Sequence, residues 1–371
     1  MDKKKKKLLL LTWHGGAGGV SKIVHDIALV LYRKKKYSLV VGYAKEGGLF
    51  AESLVKQGVR IKLFKMRNGF DLLNAFIVYR YIKKNNFDIV HLHYISPLLK
   101  WVVCLSARKL IITEHVGVEE YRKKKGWIIF KFFQILTRKC GDFYTTVSQN
   151  SKMQLIKNGF VDKDKIKIIP NGIDLSKFDV KRNIEIKEKI ILQNNKYLVG
   201  TVRGLTPRHG VDHFIKMASF ILSERSDTHF IIVGNGPLRE SLEILAIKLK
   251  IDKHVSFLGE RQDVTGILAK LDVIVMPSAI ETFGISAIEA MAMKKPVVSY
   301  AVGGLSEVID DGRTGILVHS RDPKKLAQAV NFLLDNEIKR IEFGIKGREK
   351  VEKYFALYKI VEKYINLYES I

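Results

Sequence analysis

Two glutamates eight residues apart, Glu281 and Glu289, lie in the segment Pro277 to Pro296, PSAIETFGISAIEAMAMKKP. The apolar run Asp272-Val273-Ile274-Val275-Met276 before it reads as a buried parallel strand, and Lys294-Lys295-Pro296 after it stops a helix. Such a strand, loop and helix bring Glu281 to the carboxyl end of the strand. The helix starting near Gly284 points its first free N–H groups and the positive end of its dipole into the same space, an anion site suited to phosphate. On a continuous helix the two carboxylates would stand roughly 12 Å apart along the axis. One ligand therefore reaches both only if it is long and Glu281 lies in the loop. A nucleoside diphosphate sugar has that length, with its sugar at Glu281, its phosphates at the helix start and its ribose at Glu289. Two solvated surface carboxylates are the plain alternative.

Other residues could act on the same kind of ligand. In Thr201-Val202-Arg203-Gly204-Leu205-Thr206-Pro207-Arg208-His209-Gly210, two guanidiniums five residues apart around a proline turn could clamp a pyrophosphate, which the planar fork of Arg fits. Arginines in a solvated turn would look the same. In His14-Gly15-Gly16-Ala17-Gly18-Gly19-Val20, after the first strand, glycines let backbone N–H groups approach phosphate. Counted from Gly16, the third glycine position of a dinucleotide fingerprint holds Ser21, so that match is incomplete and a tight turn is the alternative. Glu114-His115-Val116-Gly117 follows the strand Leu110 to Thr113, and a histidine there could donate or accept near a reacting carbon. His91 and His93 alternate on a strand and read as satisfied core groups or as groups that support a neighbouring site residue. Gly234-Asn235-Gly236-Pro237 and Phe257 to Arg261 end strands and would line a nucleotide pocket. Asp162-Lys163-Asp164 imitates a metal-binding Asp-x-Asp but lies among lysines in a turn, where capping is the better reading. No His and Cys spacing suggests zinc, and no metal is expected.

The run E-T-F-G-I-S-A-I-E-A-M-A resembles the Glu-x7-Glu element of glycosyltransferase family four (glycosyl transferases group one), retaining enzymes of the GT-B fold. The loop at Gly16 resembles that family's Gly-Gly loop, and Gly303-Gly304-Leu305-Ser306-Glu307 its Gly-Gly-x-x-Glu segment, with Glu307 structural. The arginine segment is similar to Gly-Arg-Leu…Lys-Gly with a shift: Gly204 stands where Arg is usual and His209 where Lys is usual, the basic residues lying one place earlier. His115 matches a functional histidine of the family. The resemblance implies an α/β fold of two Rossmann-like doubly wound domains facing across a cleft. It implies His115 and Glu281 as catalytic residues, and Gly16, Arg203, Arg208, Gly234, Phe283, Gly284 and Glu289 as donor-binding residues. It further implies a nucleotide-sugar donor, UDP-linked rather than GDP-linked, that is a substrate and not a cofactor. The acceptor would be a hydroxyl of a saccharide or lipid-linked saccharide in cell-surface polysaccharide synthesis. Retention implies attack from the leaving-group face, where the departing phosphate oxygen takes the proton. A nucleotide-sugar epimerase of GT-B-like fold would use the same pocket without an acceptor.

At 371 residues, with 47% apolar residues, the chain is long enough for two cores. Short apolar runs alternate with helical stretches on both sides of Ile166-Lys167-Ile168-Ile169-Pro170-Asn171-Gly172-Ile173-Asp174, where the pattern breaks. The expected division is 1–174 on the acceptor side, 175–350 on the donor side, and 351–371 as a helical tail that the resemblance returns to the first domain. The net charge of +26 is lopsided: residues 1–175 carry 34 Lys and Arg against 13 Asp and Glu, a net +21, leaving +5 for the rest. Such a half attracts phosphate-rich partners, nucleic acid or an anionic membrane. The cluster Arg122 to Lys125 before Trp127-Ile128-Ile129-Phe130-Lys131-Phe132-Phe133 favours the membrane, with a core helix and a snorkelling Lys131 as the alternative. No nucleic-acid recognition module is present, so no nucleic-acid partner is expected. Cys104 and Cys140 alone make no disulfide framework. No apolar run nears the ~18 residues of a membrane span. These features place the chain in the cytoplasm, peripheral on the membrane face at most.

Overall fold

The computed structural model describes residues 5–16, 18–93, 95–115, 127–179 and 196–371. The chain forms two compact units, one comprising residues up to Ile173 together with Leu357–Ile371, the other Asp174–Ala356.

The first unit holds a seven-stranded sheet in the order β3-β2-β1-β4-β5-β6-β7, all parallel: β1 Lys7–His14, β2 Ser38–Glu46, β3 Arg60–Leu63, β4 Ile89–His93, β5 Leu110–Glu114, β6 Phe143–Thr146 and β7 Ile166–Ile168. Leu8 to Leu11 are fully buried, as expected of a strand covered by helices on both faces. The helix Gly19–Arg33 shows why such coverage forms: Ile23, Val24, Ile27, Ala28 and Leu31 recur at helical spacing and turn inward together.

The second unit is a six-stranded parallel sheet in the order β10-β9-β8-β11-β12-β13: β8 Tyr197–Val202, β9 Thr228–Val233, β10 Val255–Gly259, β11 Val273–Met276, β12 Val297–Tyr300 and β13 Gly315–Val318. The strand order reverses between β8 and β11. In doubly wound sheets that reversal opens a crevice beyond the carboxyl ends of the strands, where ligands bind.

The helical tail is divided. A helix Glu337–Tyr354 ends at Phe355, and a new helix Leu357–Glu369 belongs to the first unit. Leu357 N donates to Ile173 O at 2.9 Å, so the two points where the chain leaves that unit lie together. The buried Tyr368 hydroxyl lies 2.7 Å from His91 Nδ1, and His91 Nε2 lies 2.6 Å from Thr113 Oγ1, tying the tail to β4 and β5.

The helix Trp127–Leu136 is only half docked. Trp127, Phe130 and Phe133 pack against the core, whereas Ile128 is 82% exposed and Phe132 62%. The core-helix alternative describes the face of Trp127, Phe130 and Phe133 and not that of Ile128 and Phe132. The basic cluster Arg122 to Lys125 lies outside the described residues, as do Val116, Gly117 and Ala17 and much of the Leu175 to Asn195 stretch. No described helix is long and apolar enough to cross a membrane.

Replacing Tyr368 by Phe leaves His91 Nδ1 buried without a partner, which costs about 1–3 kcal/mol. A urea midpoint that falls accordingly in Tyr368→Phe is the expected result; an unchanged midpoint would show that the hydroxyl does not anchor the tail.

Candidate active site

In the second unit the residues singled out in the sequence converge on the reversal between β8 and β11. Arg203 follows β8 directly, Gly234 follows β9, and Ser278 to Gly284 link β11 to the helix Ile285–Ala292. Arg203 is buried, and its guanidinium donates through Nη1 to Ser278 Oγ at 2.5 Å and through Nη2 to Glu281 Oε2 at 3.2 Å. The Arg203 and Glu281 side chains are only 4% and 16% exposed. Burial pulls the Arg203 guanidinium below its ordinary range and the Arg208 charge acts the same way, while Glu281 opposes both. The guanidinium is thus held in the charged form by the carboxylate that answers it.

The loops meet backbone to backbone. Gly303 has φ 51°, and a Cβ on it would lie 2.0 Å from Glu281 O; Gly304 N donates to that same oxygen at 3.0 Å. The Gly303-Gly304 pair, read in the sequence as a turn, is therefore the floor under Glu281. Gly234 supports Arg203 in the same way, since its missing Cβ would lie 2.0 Å from Arg203 O. Ala279 N donates to Arg208 O at 2.8 Å, fixing the arginine turn to the β11 loop and leaving the Arg208 side chain exposed.

Gly284 takes a left-handed φ of 102° at the start of the helix Ile285–Ala292, whose Glu289 is 7% exposed. The Phe283 ring packs edge-on against Phe355, with centroids 5.6 Å apart, so any donor contact from Phe283 is through its backbone. His209 turns inward, with Nδ1 2.5 Å from Gly204 O, and burial beside Arg203 and Arg208 lowers its pKa to about 3. It is a neutral brace and not a cationic substitute for the family's lysine.

In the first unit, Gly15 and Gly16 follow β1 and rest on Gly47-Gly48, with Phe50 N donating to Gly15 O at 2.9 Å. His115 follows β5 and is 8% exposed, and burial lowers its pKa to about 4. Its Nε2 lies 3.0 Å from His93 Nδ1. His91 is the satisfied core group that the sequence suggests, but His93 is not, since its Nε2 is buried without a hydrogen-bond partner among the described residues. Beside them Lys100, buried, donates to Glu114 Oε1 at 2.8 Å and to Gln134 Oε1 at 2.5 Å. Asp162 accepts from Arg138 and has a structural task. Among the described residues no group of three acidic, Cys or His side chains could hold a metal.

Sequence reasoning missed Ser278 and the partnership of Arg203 with Glu281, and it named His93 without connecting it to His115. The signal for Ser278 was a hydroxyl two places past a buried strand. For His93 it was the β4 to β5 register, which pairs His93 with Thr113 and so brings it beside His115.

The comparisons agree with this geometry. The family described as glycosyl transferases group 1 matches residues 182–350, and that described as Glycosyltransferase Family 4 matches residues 17–177. An uncharacterized glycosyltransferase of Methanocaldococcus jannaschii is 30% identical over 319 residues, 83% of each chain. The chain belongs to this glycosyltransferase family. The UDP-Gal:alpha-D-GlcNAc-diphosphoundecaprenol alpha-1,3-galactosyltransferase of Escherichia coli is 28% identical over 312 residues, covering 80% of this chain and 79% of that one. In fold, the crystal structure of Anabaena HepE in complex with UDP and glucose matches with a TM-score of 0.84 at 22% identity, covering 99% of this chain and 100% of that one. The two parallel-sheet α/β units are those of a GT-B glycosyltransferase.

The pair at the β8 to β11 reversal is testable in this glycosyltransferase without substrate. Arg203→Ala strands a buried carboxylate and costs about 3 kcal/mol of unfolding free energy, and Glu281→Ala strands the guanidinium. The double variant should lose less than the sum by about 1–3 kcal/mol; strictly additive losses would show that the pair does not couple.

Proposed function

We propose that this glycosyltransferase transfers a hexosyl group from a UDP-sugar, with retention, to a hydroxyl of a saccharide or lipid-linked saccharide in the synthesis of a cell-surface glycan. The observation that carries the reading is the buried Arg203–Glu281 pair beside the amino end of the helix Ile285–Ala292, at the reversal of the second sheet. A carboxylate directed by a guanidinium accepts hydrogen bonds from sugar hydroxyls, and a helix start accepts the diphosphate.

The roles follow from what each group has to offer. Arg203 gives Nη1 to Ser278 and Nη2 to Glu281, while its buried Nε has no hydrogen-bond partner among the described residues, and it acts on the donor through Glu281 and through its charge. The exposed Arg208 meets the diphosphate directly, with the backbone at Gly234, Phe283 and Gly284, and Glu289 takes the ribose. In the first unit, the backbone at Gly16 and the His115 ring are the groups that the resemblance to the family assigns to substrate. Retention then follows if the departing phosphate oxygen takes the acceptor proton on the face it leaves. Support for the UDP donor and the lipid-linked acceptor comes from relatives: the E. coli enzyme acts with UDP-Gal on a diphosphoundecaprenol, and Anabaena HepE was crystallised with UDP and glucose.

We further propose that the first unit meets an anionic membrane. Beyond the face of Trp127–Leu136, the helix Leu72–Asn85 exposes Leu72, Leu73, Phe76 and Ile77, and the helix Pro97–Ser106 packs against both and exposes Leu105. Apolar side chains that enter the headgroup boundary, with basic charge around them, bind such a surface by both contributions.

Two measurements test these readings. In a melting panel, UDP and UDP-sugars should stabilise the protein more than GDP and GDP-sugars, by RT ln(1 + [L]/Kd). Arg208→Ala and Glu289→Ala should lose that stabilisation, whereas His115→Ala should keep it and lose turnover, with an anomeric product configuration equal to the donor's. Preference for GDP, an inverted product, or conversion of the donor to its epimer without acceptor would each refute the corresponding part. Separately, Ile128→Glu/Phe132→Glu should co-sediment several-fold less with phosphatidylglycerol vesicles than the parent protein; equal sedimentation would remove the membrane reading.

A further inference from the structure

Two buried imidazoles share one hydrogen bond at the carboxyl ends of β4 and β5. His93 Nδ1 lies 3.0 Å from His115 Nε2, and the rings are inclined by only 26°. The other nitrogen of each ring, His93 Nε2 and His115 Nδ1, is buried and has no hydrogen-bond partner among the described residues. Burial keeps both rings neutral at physiological pH, with His93 well below its ordinary value and His115 at about 4. His91, with both of its nitrogens satisfied, lies against His93 at a centroid distance of 3.9 Å and fixes that ring in place.

Neutral rings leave two proton arrangements. If His115 Nε2–H donates to His93 Nδ1, the His93 proton must sit on Nε2, a donor with no exposure and nothing to accept it. If instead His93 Nδ1–H donates to His115 Nε2, the unpartnered His93 nitrogen is a bare lone pair and the His115 proton sits on Nδ1. That ring follows the end of β5 and keeps 8% exposure, so an acceptor on a bound ligand can satisfy the N–H. Buried N–H groups without partners are rarer in folded proteins than under-used acceptors, which favours the second arrangement once ligand is bound.

We propose that His93 is a positioning residue that fixes His115 as the Nδ1–H tautomer, making His115 a neutral hydrogen-bond donor to an oxygen of the bound substrate. This rests on the role given to His115 above. In this state His115 polarises or orients a substrate oxygen and does not remove a proton from the acceptor, whose proton goes to the leaving phosphate oxygen. No charge changes on either ring during transfer.

The test is a long-range proton–nitrogen NMR spectrum of the full-length protein, labelled with nitrogen-15 histidine, with and without UDP. The parent protein should show His115 protonated at Nδ1 and bare at Nε2. His93→Leu should move His115 to the Nε2–H form that free imidazoles prefer. His93→Asn, whose side-chain amide can put an N–H where Nδ1–H stood, should restore Nδ1–H. Turnover, read as UDP release from the UDP-sugar that stabilises best, should fall about tenfold in kcat for His93→Leu with KM within about twofold, and largely recover in His93→Asn. An Nε2–H His115 in the parent protein, or one indifferent to His93→Leu, overturns the inference, and the parent spectrum decides it even if that variant does not fold. A tautomer that switches as described with kcat unchanged would uphold the pairing and instead remove His115 from the reaction.

Discussion

A guanidinium taken out of water must have its charge answered within hydrogen-bond reach, and around Arg203 that requirement arranges the carboxyl edge of the second sheet. Removing a charge from water costs several kcal/mol unless opposite charge and further hydrogen bonds replace the lost hydration. Glu281 supplies the charge and Ser278 the additional acceptor, so the loop after β11 must come up against the end of β8. That approach leaves no room for side chains between the backbones, hence glycine at 234 beneath Arg203 and at 303 and 304 beneath Glu281. The ion pair and the glycines are two sides of one constraint: a carboxylate held still beside a guanidinium, next to a helix start.

The first unit meets the same need for rigidity by neutral means. Around His115 the network runs through His93, His91, Thr113, Thr145 and Tyr368, groups with no net charge, and the tail helix Leu357–Glu369 closes it by contributing the tyrosine hydroxyl. The nearby ions, Lys100 and Glu114, neutralise each other. Desolvating uncharged groups costs little once their hydrogen bonds are made, so this network can lie deep in the sheet while remaining directional. The buried ion pair belongs to the second unit, whereas the hydrogen bond between His93 and His115 joins two neutral rings.

The strands were legible because a parallel sheet covered on both faces leaves continuous apolar runs. Val273 to Met276 and Leu8 to Leu11 are such runs, and the strand read from Asp272 begins one residue later, at Val273. The helix Gly19–Arg33 carries its apolar period openly in Ile23, Val24, Ile27, Ala28 and Leu31. What could not be read were relations across long sequence distances. Nothing within ten residues of Arg203 announces Glu281 as its partner, 78 residues away, and nothing near His93 announces His115 except the register of two strands. The break of the tail at Phe355 is equally non-local: the N–H of Leu357, where the new helix starts, finds Ile173 O, a partner 184 residues earlier in the chain. Departures from the family pattern at Gly204 and His209 became intelligible only in three dimensions, where His209 braces Gly204 and Arg203 takes the carboxylate instead.

Charge alone does not say what a basic surface is for. A net +21 over residues 1–175 would attract a phosphodiester backbone and a lipid headgroup alike. The distinction lies in what accompanies the charge. Protein that reads single-stranded nucleic acid adds aromatic rings on which bases stack, whereas the exposed faces here are mostly aliphatic, Leu72, Leu73 and Ile77 on one helix and Ile128, Ile129 and Ile135 on another. Aliphatic side chains gain nothing from a phosphodiester backbone but gain the full hydrophobic transfer energy on entering acyl chains, about 25 cal/mol per Å² removed from water. Joined to long-range attraction by the surrounding lysines, that short-range gain is what a lipid surface rewards, and it is the physical ground on which the membrane reading of the first unit rests.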